Sequence, residues 1–182
     1  MDEIVLRAQA RWPDVPDVYG WLALDRRGDW LIKAAGGSFG RITNAAVAEF
    51  IGRNYAADGA GRWYFQNGPQ RVFVALDYTP WVWRLDDSGE RLVAHTGAEA
   101  GAIRAAFLDE SGALLVESAL GIGVVCDRDL SGLAQRILDV NGRADCILLG
   151  SRIRIEPIAA ADVPGRFGFV PHPVPAPGEP DC

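Results

Sequence analysis

Three stretches, LDRRGDWLI (residues 24–32), LDDSGERLV (85–93) and LDESGALLV (108–116), each set an Asp-x-x-Gly tetrapeptide between short apolar runs. The Asp side chain can cap backbone amides in such a turn, and the glycine can take a positive φ. Each stretch therefore predicts a β-hairpin. The first and third start at 24 and 108, an offset of 84. After the first comes TNAAVAEFIGRNYA, in which Val47, Phe50, Ile51 and Tyr55 recur at helical spacing and Thr43 is the expected N-cap. After the third comes the apolar run ALGIGVVCD, read as a strand, and then LSGLAQRILDV, a helix with Asp129 as its cap. The pieces VAEFI (47–51) and LAQRI (133–137) align at an offset of 86. Each helix is followed by two strands. The same turn chemistry at 85–93 fits neither register, so convergence on a common hairpin solution stands as the alternative to duplication.

These signals predict an α+β fold: two pseudo-repeats of β-hairpin–helix–strand–strand sharing one core, with mainly antiparallel sheet. The expected organisation is an N-terminal arm over 1–19, a first repeat over 20–96, a second over 97–163 and a Pro-rich C-terminal tail over 164–182. Five of the eleven prolines fall in the last twelve residues, which predicts disorder or an extended, draped segment. A crevice between the repeats is the natural place for a ligand.

With 182 residues, the chain is long enough to bury roughly 70% of its unfolded surface. A net charge of −6 argues against a nucleic-acid partner, which requires a basic stripe, and against an anionic membrane surface. Lys33 is the only lysine, so the cationic side chains are almost all arginine. That suits either guanidinium recognition of acidic groups or the codon usage of a GC-rich genome. Cys126, Cys146 and Cys182 form no disulfide framework, and the first twenty residues carry no apolar run of signal-peptide length. The expected setting is the bacterial cytoplasm.

The segment GRWYFQNGPQRVFVALDYTPWVWRL (61–85) concentrates aromatic residues. Trp81 and Trp83 alternate onto one face of a strand, and Trp63 and Phe65 lie on a neighbouring strand. Phe73 belongs to a strand apolar on both faces, hence central. Most of the cluster reads as core. An aromatic pocket with a polar lip would draw its ligand-binding residues from Trp63, Asn67, Arg71, Asp77 and Trp83. On that reading Arg71→Ala weakens binding more than Arg136→Ala, on an exposed helix face.

No motif calls for a cofactor, a metal or a catalytic residue. His95 and His172 are far apart and lack partners at ligand spacing. Cys126 with His95 as base is the one nucleophile pair to weigh against an inert buried thiol. GGSFGR precedes a helix but lacks the lysine and glycine spacing of a P-loop. The functional expectation is a non-enzymatic sensor or regulatory module binding a small ligand or protein. A homodimeric interaction module and an enzyme of unrecognised type are the alternatives.

One ordered set of residues resembles a known family. Gly61, Trp63, Tyr64, Pro69, Arg71, Val72, Val74, Asp77, Pro80 and Trp81, preceded by LDRRGDWLI and its helix, are similar to the bacterial domain-of-unknown-function family 1285, or to a close proteobacterial relative of it. The likeness covers most of residues 20–160. It implies an α+β fold built from a repeated motif and a part in signal transduction, with no ligand assigned. Gln70 stands where that pattern places an acid, and QNG replaces a β-rich lead into the proline.

Overall fold

The computed structural model describes residues 1–134, 137–139, 144–148 and 151–176. They form an α+β protein of two compact units: Met1–Asp25 with Asp29–Asp77 and the chain from Gly168 onward, and Arg26–Gly28 with Tyr78–Phe167.

The first unit opens with α1 (Glu3–Arg11), which carries an acid in its first turn, a base in its last and Val5 buried. The expected arm is thus helical for half its length. Next come β1 (Val18–Leu24), β2 (Trp30–Lys33), β3 (Phe39–Arg41), α2 (Ala45–Arg53), β4 (Tyr55–Ala57), β5 (Trp63–Asn67) and β6 (Gln70–Leu76). The sheet order is β3-β2-β1-β6-β5-β4, with β1 and β6 parallel and the other neighbours antiparallel. The β1–β2 turn closes as its chemistry dictates: the Asp29 amide donates to Asp25 Oδ1 at 2.8 Å, and Gly28 takes φ 82°. A further Asp-x-x-Gly turn, unnoticed among the glycines that end α2, joins β4 to β5, where the Arg62 amide donates to Asp58 Oδ1 at 2.9 Å. The cap of α2 is Asn44 rather than Thr43, accepting from the Val47 amide. β6 lies inside the sheet, and Phe73, Val74 and Leu76 are each no more than 1% exposed.

The second unit contains β7 (Trp81–Leu85), β8 (Leu92–Ala94), β9 (Ile103–Leu108), β10 (Leu114–Ser118), β11 (Gly121–Val125), α3 (Leu130–Ala134), β12 (Ile137–Asp139), β13 (Ala144–Leu148), β14 (Ser151–Pro157) and α4 (Val163–Phe167). The order is β12-β13-β14-β9-β10-β11-β7-β8, with β14–β9 and β11–β7 parallel. Both sheets are therefore mixed. Antiparallel neighbours predominate in both, with one parallel joint in the first and two in the second.

Two expectations are corrected. The β7–β8 hairpin, assigned by sequence to the first repeat, belongs to the second sheet. It is held there because Gly123 has no side chain: a Cβ at that position would stand 2.6 Å from Trp83 Cε2 and 2.8 Å from Trp81 Cβ. The helix expected to run to Val140 does not reach that far: α3 is described over Leu130–Ala134. Ile137–Asp139 instead pairs with β13, while Gln135, Arg136 and Val140 lie outside the described residues. The tail is draped, as far as it is described. Phe169 is buried, the Val170 amide donates to the Gly61 carbonyl at 2.9 Å, and the Leu76 amide donates to the Pro171 carbonyl at 2.7 Å. Residues 177–182 lie outside the described residues.

The second unit packs Trp83, Leu92, Leu114, Val116, Val125 and Leu133 into one core. Burying a side chain of this size contributes about 1.5–3 kcal/mol. Among the described residues, no helix is long and apolar enough to cross a membrane.

Candidate functional site

Alternation along β6 turns Val72, Val74 and Leu76 to one face of the first sheet and Arg71, Phe73 and Ala75 to the other. The face bearing Phe73 is aromatic and cationic. The β1 register shifts between Val18 and Leu22, at a Gly20 of φ 71°. Tyr19 there stacks on Phe73 with ring centroids 4.6 Å apart and planes within 8°. Tyr64 meets Phe73 edge-on at 5.9 Å. Two guanidinium groups lie against this cluster, Arg62 at 4.7 Å from the Phe73 centroid and Arg71 at 4.9 Å from that of Tyr64.

The two arginines differ in what neutralises them. Arg62 Nε donates to Asp58 Oδ2 at 2.7 Å, and its Nη1 reaches the Tyr19 hydroxyl at 3.4 Å. Burial works to raise the Asp58 carboxyl. The Arg62 amide and guanidinium, with the Ala60 amide, outweigh it and hold the group below its ordinary value. Arg71 makes no ion pair among the described residues. Its cross-strand neighbour is Gln66, fully buried, whose Nε2 donates to the Gly68 carbonyl at 2.9 Å and whose Oε1 meets no partner among the described residues.

Arg71 borders a cleft of about 440 Å³ that also draws on Tyr19, Pro69 and the chain between α1 and β1. That chain supplies Pro13, Asp14, Pro16 and Asp17, with Gln9 from α1. Gln70 pins it: its Nε2 donates to the Pro16 carbonyl at 3.1 Å. The departure at Gln70 from the resembled pattern thus has a structural task in this chain.

Of the five residues named from sequence, Arg71 alone lines this cleft. Trp63 lies on the opposite face of β5 and packs on Tyr55 at 4.7 Å. Asn67 is exposed at the end of β5, paired with Gln70 and on the face away from Arg71. Asp77 is exposed just beyond β6, where its amide donates to the Leu24 carbonyl. Trp83 belongs to the second unit, fully buried, with its Nε1 donating to the Val116 carbonyl at 2.9 Å. Sequence reasoning missed Tyr19, Asp14 and the prolines. The doubled Pro-Asp of PDVPD (13–17) was the available signal, a stiff polar segment placed before the first strand.

In the second unit, Cys126 and His95 are both poor reagents. Burial pushes the Cys126 thiol up, and burial pushes the His95 imidazole down to about 3. Cys126 Sγ lies 3.6 Å from Asp127 Oδ1, whose carboxylate is itself held by Arg27 at 2.7 Å. A thiol kept protonated and an imidazole kept neutral offer neither a nucleophile nor a charged acid.

No curated protein matches the chain. A crystal structure of a DUF1285 family protein from Silicibacter pomeroyi DSS-3 is similar, with a TM-score of 0.54 at 16% identity over 85% of this chain and 94% of that one. At this identity the likeness is one of fold, in agreement with the resemblance noted from sequence. The family model DUF2944, described as "Protein of unknown function (DUF2946)", matches residues 1–174, and the chain belongs to that family.

Proposed function

We propose that this protein is a non-enzymatic regulatory module of the bacterial cytoplasm, that it arose by internal duplication, and that the Arg71 cleft receives an acidic group of a small ligand. The support for duplication is register. The run β3-β2-β1-β6-β5-β4 and the run β11-β10-β9-β14-β13-β12 have the same order, each with one central parallel joint. In the first, Leu24 pairs with both Trp30 and Leu76. In the second, Leu108 pairs with both Leu114 and Pro157. Under this correspondence β7 and β8 are additions at the edge of the second sheet.

The same correspondence carries the functional reading. Counting along β14 from Pro157 as along β6 from Leu76, Arg152 is the counterpart of Arg71, and Asp145 is the counterpart of Tyr64. Arg152 Nε donates to Asp145 Oδ2 at 2.7 Å. The first unit has an aromatic ring where the second has the neutralising carboxylate. Arg71 is thereby left without an ion pair among the described residues, at the border of the cleft. A guanidinium resting against a ring and without an ion pair suits a carboxylate or phosphate, which it can meet with two parallel hydrogen bonds.

A hydrogen bond to a charged partner contributes about 1.5–3 kcal/mol, which is tenfold or more in Kd. The test is a thermal-shift panel of carboxylates and phosphates against the full chain, its Arg71→Ala variant and its Arg152→Ala variant. A ligand that stabilises the parent and Arg152→Ala but not Arg71→Ala supports the proposal. A ligand whose shift survives Arg71→Ala refutes it, as does a panel in which no acid stabilises the parent.

A further inference from the structure

The cleft around Arg71 is not uniformly basic, and this deepens the reading just given, on which it rests. Asp14 lines the same cleft, and among the described residues it makes no ion pair. Asp17 adds a second carboxylate to the wall. A simple anion entering to meet Arg71 therefore approaches one or two negative charges at short range. A simple cation meets the guanidinium. Only a ligand carrying both signs answers both walls, and the unfavourable pairings select against ligands with one.

The remaining lining narrows the chemistry. Pro13, Pro16 and Pro69 have no backbone N–H, so they offer stiff apolar rings and carbonyl acceptors but no donors. The side chains of the lining that can donate to the acidic end of a ligand are Arg71, Gln9 and the Tyr19 hydroxyl, and of these Arg71 alone carries a charge, while carbonyls and carboxylates serve an ammonium. The volume of about 440 Å³ lies low in the range of about 300–1,000 Å³ for small-molecule sites, enough for a metabolite of amino-acid size. We infer that the cleft binds a small zwitterion bearing a primary ammonium and a carboxylate, with the carboxylate on Arg71 and the ammonium on Asp14.

The experiment is isothermal titration of the full chain with the proteinogenic L-amino acids. Any that bind are then compared with their deaminated and decarboxylated analogues. At least one amino acid binds, and each analogue binds about tenfold more weakly or worse, as expected for losing one charged hydrogen bond. Asp14→Asn, an exposed loop substitution with no change expected in melting temperature, removes the advantage of the amino acid over its deaminated analogue. Arg71→Gln removes binding of both.

Two results overturn the inference. One is that no amino acid binds. The other is that a deaminated acid binds as tightly as its parent amino acid and Asp14→Asn changes neither. In the second case an acid that still depends on Arg71 leaves the acidic-group reading standing, so the two failures are told apart.

Discussion

At Gly61 the C-terminal segment packs closely on the rest of the first unit, and Gly61→Ala tests how that segment is held. Two costs add there. Gly61 has φ 76°, and an L-residue in the left-handed region costs about 1–2 kcal/mol. A methyl group would also run into the Gly168 carbonyl oxygen and come within 3.1 Å of Phe169 Cα, both backbone atoms that cannot swing aside. Relief requires moving the segment. That strains the Val170 amide bond to the Gly61 carbonyl, a net contribution of about 0.5–1.5 kcal/mol, and re-exposes part of Phe169, which is 6% exposed in place. The expected loss is about 2–5 kcal/mol. Gly37 is the control in the same unit, with φ 84° and nothing within 4 Å of an added Cβ. Gly37→Ala should cost only the backbone share, about 1–2 kcal/mol. Urea denaturation gives the stabilities, and hydrogen exchange at Val170 and Leu76 reports the segment itself. Equal losses for the two variants, or unchanged protection at Val170 in Gly61→Ala, would refute the close-contact argument.

Two further outcomes follow from the second unit. His95 is pushed down from 6.5 to about 3, so below its ordinary value the unfolded chain binds a proton that the folded chain refuses. Stability present above about pH 6.5 is therefore lost as pH falls toward 3, by at most about 1.4 kcal/mol per unit. His95→Gln should flatten the stability profile between about pH 6.5 and 5, above the carboxylate range, and an unaltered slope in stepped-pH urea titrations would count against it. Gly123→Ala, at an unremarkable φ, should cost about 1–3 kcal/mol by overpacking alone, because the new methyl meets the Trp83 indole and Trp81 Cβ. Near-ultraviolet circular dichroism of the tryptophans should change with it; a native spectrum with full stability would show that the strands slide apart freely.

What could be seen in the sequence is what adjacent residues decide together. Asp25 with Gly28, Asp86 with Gly89 and Asp109 with Gly112 all form the turns their chemistry implies, each with the glycine at positive φ. The central place of Phe73 followed from a strand apolar on both sides. What could not be seen depends on partners far away in the chain. The parallel joint between β7 and β11 brings Trp81 opposite Gly123, and no local pattern announces it. For the same reason Trp83, a candidate pocket residue by its aromatic strand, lies inside the core, with its indole N–H on the Val116 carbonyl. The cleft suffered most, since Arg71 comes from β6 and its other wall from the linker after α1. The turn chemistry recurs at 86–89, outside the proposed duplication, so it carries no evidence of descent. The paired registers carry that argument instead.

The proline-rich segment shows where a compositional rule stops applying. Proline is counted toward disorder because it donates no hydrogen bond and the segment around it buries little. Yet its carbonyl accepts as well as any other, and at Pro171 that is all the first unit requires, because the Leu76 amide needs an acceptor. Phe169, buried just before it, gives the segment apolar anchorage in the first unit. With φ restricted beforehand at its prolines, such a segment loses less conformational entropy on docking than a flexible one of equal length. It needs correspondingly few contacts to stay in place. The first unit is therefore completed by residues that follow the whole of the second in the chain. During synthesis its Leu76 amide and its Gly61 carbonyl wait for partners until more than ninety further residues have been added, counting from Asp77 to Val170.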